Sequence, residues 1–220
     1  FGPGEDFDRY PHTLQEDLEA LKEVHGQIVV FAPSTPEEIY PEGFSTQISL
    51  PDISSKLCGK SRPTHFAGVT TVVYQLFAIA KPKTAFFGLK DYQQVKIIET
   101  MTKDLRLPVR IRALPIIREP DGLAMSSRNR YLSADQRPQA LILSKTLQKA
   151  KEIMMTQGID ACVTFINESK SQPGWDYLEL LHADSLRQIS SGDRFFVLAG
   201  ALYVGETRLI DNLVVELDVR

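Results

Sequence analysis

Cysteine is nearly absent from this chain of 220 residues: there are two, Cys58 and Cys162, far apart and with no partner at metal-ligand spacing. That excludes a disulfide scaffold and a cysteine-ligated metal centre, and it predicts two reduced thiols in a reducing compartment. No apolar run approaches the length needed to cross a bilayer, and the N-terminus lacks a basic segment followed by an apolar one, so the expectation is a soluble, cytoplasmic protein without a membrane partner. Charge of one sign is also lacking. With 25 basic and 28 acidic residues the formal net charge is -3, which speaks against general nucleic-acid affinity and requires any phosphate recognition to come from a local cluster. Internal repeats and low-complexity segments are missing too. What remains is ordinary globular composition, 43% hydrophobic and 24% charged, sufficient for one large domain or two small ones.

The chain opens on loop-forming residues over 1–11, with no element ahead of them, and so reads as the middle of a longer fold. Thr13 and Glu16 form a capping-box pattern before Leu14, Leu18, Leu21 and Val24 at helical spacing. A short buried strand is expected over 28–32. Residues 33–63, rich in Pro, Ser and Gly, read as a long irregular segment with one small strand pair near 44–50, and loops of that length are usually functional. Helix 66–80, strand 84–87, helix 91–105 and strand 109–114 then give the alternation of a parallel sheet. Beyond Asn129 the pattern changes to a capping box at Ser133 and Gln136, a helix to about 157 stopped by Gly158, a shorter helix over 159–169, and strands near 177–183, 194–204 and 209–217. The fold class is therefore α/β: a Rossmann-like parallel sheet over 1–116, incomplete at its N-terminus, plus a small α+β domain over 117–220.

Two segments carry the candidate chemistry. In Phe86-Phe87-Gly88-Leu89-Lys90-Asp91-Tyr92-Gln93-Gln94, the turn at Gly88 to Asp91 lies where ligands of open α/β sheets bind, outside the carboxyl end of a strand. Lys90 there is either a solvated surface lysine or a flexible cation within reach of a phosphate. Asp91 either caps the next helix or accepts hydrogen bonds from a ribose. Gln94, one helical turn from Lys90, offers both a donor and an acceptor. The second segment runs Arg118-Glu119-Pro120-Asp121-Gly122-Leu123-Ala124-Met125-Ser126-Ser127-Arg128-Asn129. Ser126, Ser127 and Arg128 supply two hydroxyls and a guanidinium, an anion-binding set or simply a turn. Arg62 and His65 gather basic groups just before a helix N-terminus, which also favours anions. His12, His25 and His182 have no chemical company in sequence, and Cys58 carries little weight as a nucleophile.

These segments, with Tyr40-Pro41-Glu42-Gly43-Phe44-Ser45-Thr46, residues 62–70 and Thr207-Arg208-Leu209-Ile210-Asp211-Asn212, occur in one order over nearly the whole chain, and together they resemble the pantothenate synthetase (pantoate-beta-alanine ligase) family. The serine-rich segment alone is less specific, because it resembles the lysine-methionine-serine loop of the wider nucleotidylyltransferase and class I synthetase superfamily. The resemblance implies an ATP-dependent ligation of pantoate and beta-alanine through pantoyl adenylate, with Mg2+ accompanying ATP, no nucleic-acid partner, and a homodimer. It implies ATP contacts at Gly88, Leu89, Lys90, Asp91, Ile117, Met125, Ser126, Ser127 and Arg128, with Lys90 and the Ser126 to Arg128 triplet catalytic. Gln94, Arg62 and His65 fall to the substrate side, and no protein metal ligand is implied.

The chain departs from the family pattern in three places. Leu89 stands where an acidic residue is common, and Thr64 where glycine is common. The family also carries, ahead of the position matching Phe1, a strand, a histidine loop resembling the synthetase HIGH motif, and a pantoate-binding asparagine and glutamine. The resemblance therefore predicts weak activity for these 220 residues alone, or supply of that segment by another chain.

Overall fold

The computed structural model describes residues 13–217, so the loop expected over 1–11 and His12 lie outside the described residues. The chain divides into two units, Phe1–Gln47 and Ile48–Arg220.

In the first unit α1 spans Leu14–Leu21 and buries no residue. The expected capping box does not form. Thr13 has φ -117° and ψ 29°, outside the extended backbone an N-cap needs, and its hydroxyl instead donates to the Asp17 carboxylate at 3.3 Å. The strand expected over 28–32 is also absent. Val29 is 85% exposed and Ile28, Val30 and Phe31 are exposed beside it. A strand exists only where its backbone groups find partners, and none pairs with this segment among the described residues. A 3-10 turn at Pro36–Glu38 follows, with Tyr40 and Phe44 packed edge to face at 5.2 Å.

The second unit opens on α2 (Pro51–Ser54), α3 (Cys58–Ser61) and α4 (His65–Ala80). The strand pair expected near 44–50 is replaced by side-chain bonding: the Ile48 N–H donates to the Thr71 hydroxyl (3.0 Å), and the Thr70 hydroxyl donates to the Ile48 carbonyl (2.6 Å). Helix α4 thus does for Ile48 what a neighbouring strand would have done. It ends at Lys81, which takes the left-handed conformation just ahead of Pro82.

Strand β1 (Thr84–Gly88), α5 (Tyr92–Asp104) and β2 (Arg110–Leu114) form the expected parallel unit, β1 pairing with β2 from Thr84↔Arg110 to Gly88↔Leu114. The apolar run 84–87 reads in sequence as a buried strand, yet Phe86 is 63% exposed; among the described residues the two strands are covered on the face where α4 and α5 pack. Val73, Ile98 and Met101 form that cover, with Phe87 and Ile111 packed against it.

Helix α6 (Arg137–Gln157) starts from the capping box read in sequence: the Ser133 N–H donates to Gln136 Oε1 (3.0 Å) and the Gln136 N–H to Ser133 Oγ (3.3 Å). Gly158 at φ +95° stops it, a geometry that costs glycine little, and α7 (Ile159–Lys170) follows. Strands β3 (Trp175–His182), β4 (Phe195–Val204) and β5 (Thr207–Glu216) make one antiparallel sheet in the order β3-β4-β5.

Strand alternation splits this sheet into two apolar faces. One face, with Leu178, Phe196, Leu198 and Leu209, packs on Leu143, Leu147 and Ala150 of α6. The other, with Tyr177, Leu181, Val197, Ala199 and Ala201, packs on Phe66 of α4 and on Tyr92 and Ile97 of α5. Truncating one fully buried leucine such as Leu143 to alanine would cost about 2–5 kcal/mol. Among the described residues no helix is long and apolar enough to cross a membrane.

Candidate active site

The turn at the end of β1 is a 3-10 segment, Leu89–Asp91, between Gly88 and α5. Asp91 occupies the N-cap position of α5 yet makes no side-chain cap bond, so of the two roles open to it in sequence, capping is not the one it plays. Lys90 is half-buried, and its ammonium makes no ion pair with any described residue. Gln94 is likewise half-buried and its amide makes no hydrogen bond among the described residues. Its neighbour Gln93 behaves oppositely. Buried within α5, Gln93 accepts from the Cys58 N–H (3.0 Å) and donates to the carbonyls of Ile53 (3.0 Å) and Lys56 (2.6 Å), tying the short helices α2 and α3 to α5.

The second loop folds back on itself as a small hairpin. Arg118 and Ala124 pair as an isolated antiparallel bridge, and the Met125 N–H donates to the Ile117 carbonyl at 2.9 Å. Ile117 and Met125, side by side, are 67% and 55% exposed: an apolar pair left open to solvent. Beyond it Ser126 caps a 3-10 turn, Ser127–Tyr131, by accepting from the Arg128 N–H. The Ser127 hydroxyl makes no hydrogen bond among the described residues. The Asn129 amide anchors the hairpin by donating to Glu119 Oε1 (2.5 Å) and to the Ala124 carbonyl (3.0 Å), and Arg137 at the start of α6 bonds Glu119 and Asp121. The Asn129 amide first, and then the Arg137 guanidinium, hold the Glu119 carboxyl below its usual range.

What sequence reasoning missed is the part played by β5. The Asn212 amide donates to the carbonyls of Leu89 (2.8 Å) and Lys90 (3.1 Å), so the lysine turn rests on this strand. Asp211, 3% exposed, accepts from Nη1 and Nη2 of the Arg118 guanidinium at 2.7 and 2.9 Å, and its Oδ1 also accepts the Asn212 N–H at 2.8 Å. Arg118 closes its own loop by donating to the Gly122 carbonyl (3.0 Å). Earlier on the same strand, Arg208 binds Asp176 at 2.6 and 3.0 Å, and Asp176 also accepts from Ser61 (2.9 Å), the residue before Arg62. Arg62 and His65 thus sit at the entry to α4 on a segment secured to the sheet. The signal for this arrangement was present: a polar Asp-Asn pair is set between the apolar runs Leu209-Ile210 and Leu213-Val214-Val215 of the strand.

Cys58 is buried, with its sulfur 3.2 Å from Tyr177 Oη and 3.4 Å from Arg208 Nη2. Burial, together with Cys58 beside it, pushes the Tyr177 phenol well up. Burial likewise pushes the Cys162 thiol up to about 11, which leaves it an inert core residue. Among the described residues no group of three or more His, Cys, Asp or Glu could hold a metal ion.

A parallel β-α-β unit whose first strand ends in a glycine-bounded lysine turn belongs to the class of α/β enzymes that take ligands at the carboxyl ends of their strands. The chain belongs to the pantoate-beta-alanine ligase family, whose model matches residues 1–214. It is 48% identical over 222 residues to the pantothenate synthetase of Acetivibrio thermocellus, covering 98% of this chain and 78% of that protein. The crystal structure of pantothenate synthetase from Thermus thermophilus matches with a TM-score of 0.84 at 39% identity, over 97% of this chain and 78% of that one. A pantoate-beta-alanine ligase from Francisella tularensis, complexed with beta-gamma ATP and beta-alanine, matches with a TM-score of 0.66 at 30% identity, over 95% of this chain and 72% of that one. The mixed α/β fold expected from sequence is thus that of the solved ligases.

Proposed function

We propose that this chain joins pantoate to beta-alanine at the expense of ATP, through an enzyme-bound pantoyl adenylate. A pantoate carboxylate oxygen attacks the α-phosphorus, the bond to pyrophosphate breaks, and the mixed anhydride carries an acyl carbon open to attack. The amine of beta-alanine then adds to that carbon, AMP leaves with the bridging oxygen, and the amine proton passes to solvent.

One observation carries this reading: the Lys90 ammonium stands at the carboxyl end of β1 without a carboxylate partner among the described residues, on a turn that Asn212 fixes. A carboxylate approaching a phosphate to about 4 Å is opposed by roughly 4 kcal/mol at an effective dielectric of 20. A cation not already neutralised by the protein is what offsets that repulsion. In this reading Ser126, Ser127 and Arg128 hold phosphate oxygens, Gly88 and Leu89 line the nucleotide, and Asp91, free of a capping duty, accepts the ribose hydroxyls. The exposed Ile117 and Met125 pair offers apolar surface to adenine, and Gln94 reads pantoate, with Arg62 and His65 beside the substrates. In this reading the parallel unit within 1–116 supplies the lysine turn, and 117–220 supplies the hydroxyl loop. Lys90, Ser126, Ser127 and Arg128 are cationic and hydroxylic, suited to phosphate oxygens, and Mg2+ accompanying ATP would ride on those phosphates.

Exchange of labelled pyrophosphate into ATP, run without beta-alanine, tests the proposal. Exchange that requires pantoate is expected. Exchange supported by an amino acid or a nucleotide, or ATP binding with no pantoate-dependent exchange, would contradict it.

A further inference from the structure

The two loops that carry the candidate phosphate-binding groups are far apart in sequence, and each contacts β5 through one member of a two-residue pair. Asn212 faces the lysine turn and donates through its side-chain amide to the carbonyls of Leu89 and Lys90. Asp211 points to the opposite face of the strand and accepts from Nη1 and Nη2 of Arg118. The two members are joined, because Asp211 Oδ1 accepts the Asn212 backbone N–H while it also accepts Arg118 Nη2. A continuous path of hydrogen bonds therefore runs Gly122 carbonyl, Arg118, Asp211, Asn212, Leu89 and Lys90 carbonyls. Asp211 and Asn212 are 3% and 4% exposed, so water does not substitute readily for a lost partner.

We infer that Asp211 and Asn212 are positioning residues that couple the Leu89–Asp91 turn to the Arg118 hairpin, so that the two loops hold their relative placement as one unit. Neither side chain needs to touch substrate. Asp211 fixes the direction of the Arg118 fork, which sets the root of the hairpin ending in Ser126 and Ser127. The same carboxylate orients the Asn212 backbone, and the Asn212 amide sets the carbonyls on either side of the Lys90 α-carbon. The importance of this coupling for catalysis rests on the reading above, in which one triphosphate spans both loops; the coupling itself does not.

Asp211→Asn preserves volume and removes the charge that holds the Arg118 fork. Hydrogen-deuterium exchange of the ligand-free full chain reads the result directly. Peptides covering 89–92 and 118–129 are both expected to exchange about tenfold faster or more, with peptides within α6 unchanged. Asn212→Asp, which replaces the donating amide by an acceptor facing two carbonyls, is expected to loosen 89–92 while leaving 118–129 as in the parent. Should Asp211→Asn not fold, Arg118→Lys, which keeps the charge but loses the paired geometry, gives the same reading from a partly exposed position and is expected to loosen both segments. Loosening of 118–129 alone, in Asp211→Asn or in Arg118→Lys, would overturn the coupling. A parallel titration with ATP separates the two claims: failure of the parent to bind ATP counts against the functional reading, whereas the exchange result decides the coupling in either case. If the parent binds ATP, the coupled variants are expected to bind it about tenfold more weakly with pantoate affinity within about threefold, and unchanged ATP affinity in a variant with both loops loosened would refute a positioning role.

Discussion

Gln93 and Gln94 are adjacent, identical in chemistry, and assigned opposite work by the fold, so replacing each by leucine separates structure from function at one point of the chain. Gln93 is buried and makes three bonds to the backbone of the 53–58 segment. In Gln93→Leu the Lys56 carbonyl keeps a second donor, the Gly59 N–H at 2.8 Å. The Cys58 N–H and the Ile53 carbonyl lose the partner that Gln93 gave them. Each buried backbone group left unsatisfied costs about 1–3 kcal/mol, giving roughly 2–6 kcal/mol for the pair. At about 2–4 °C per kcal/mol for a chain of this size, the thermal midpoint should fall on the order of 10 °C. Gln94→Leu breaks no bond among the described residues and should change stability by no more than about 0.5 kcal/mol. It should instead raise the pantoate KM about tenfold or more, the worth of a hydrogen bond to a charged or hydroxylated substrate. Denaturant unfolding and steady-state kinetics on both variants decide the matter. A Gln93→Leu protein within about 1 kcal/mol of the parent, or a Gln94→Leu protein equally destabilised, would refute the division of labour.

Other consequences can be checked alongside. Lys90→Ala should lower turnover about 10²- to 10³-fold, the usual loss on removing one well-placed electrostatic stabiliser, with the melting temperature unchanged because Lys90 has no ion-pair partner among the described residues to abandon; an unchanged turnover number would remove it from the mechanism. Gly59→Ala would place a methyl 1.6 Å from the Ser54 carbonyl oxygen and should destabilise by about 3 kcal/mol or more, whereas Gly88→Ala meets nothing within 4 Å and should leave unfolding unaltered while raising the ATP KM. Burial raises the Tyr92 phenol from its usual 10 to about 12, so the native state holds this proton longer than the unfolded chain does. Its contribution is complete below pH 10 and is lost as pH rises to about 12. Tyr92→Phe should flatten the alkaline fall in stability across that window by up to about 1.4 kcal/mol per pH unit, and an unchanged slope would contradict the assignment.

Elements whose stability is local were readable from the residues alone. Helix α6 announces itself through a capping box, a stripe of Leu143, Leu147, Ala150 and Met154, and a glycine stop, all of which act within a few residues of one another. The three C-terminal strands were legible for the same reason, as apolar runs separated by turn residues. Segments that depend on distant partners were not. The 28–32 run has the composition of a strand but no described neighbour to pair with, and Ile48, in the region expected to hold a strand pair, found its hydrogen-bond partners in the threonines of α4. Nor does sequence tell Gln93 from Gln94, because the difference lies in which side of α5 faces Cys58. The lysine turn and the hydroxyl loop could be singled out as chemistry-bearing segments, and the Asp211-Asn212 pair stands out as polar within a strand, but what that pair holds could not be read, since the reach of Asp211 to Arg118 and of Asn212 to Leu89 exists only after β5 has paired with β4.

The most direct test of the account follows an oxygen atom. Pantoate carrying ¹⁸O in its carboxylate is incubated with this chain, beta-alanine and Mg-ATP, and the nucleotide and phosphate products are examined by mass spectrometry. Passage through pantoyl adenylate leaves the bridging oxygen on the nucleotide, so one ¹⁸O should appear in AMP and pyrophosphate should remain unlabelled. Label in inorganic phosphate with ADP as the nucleotide product would mean an acyl phosphate instead, and would contradict the proposed use of the Lys90 turn at the α-phosphate.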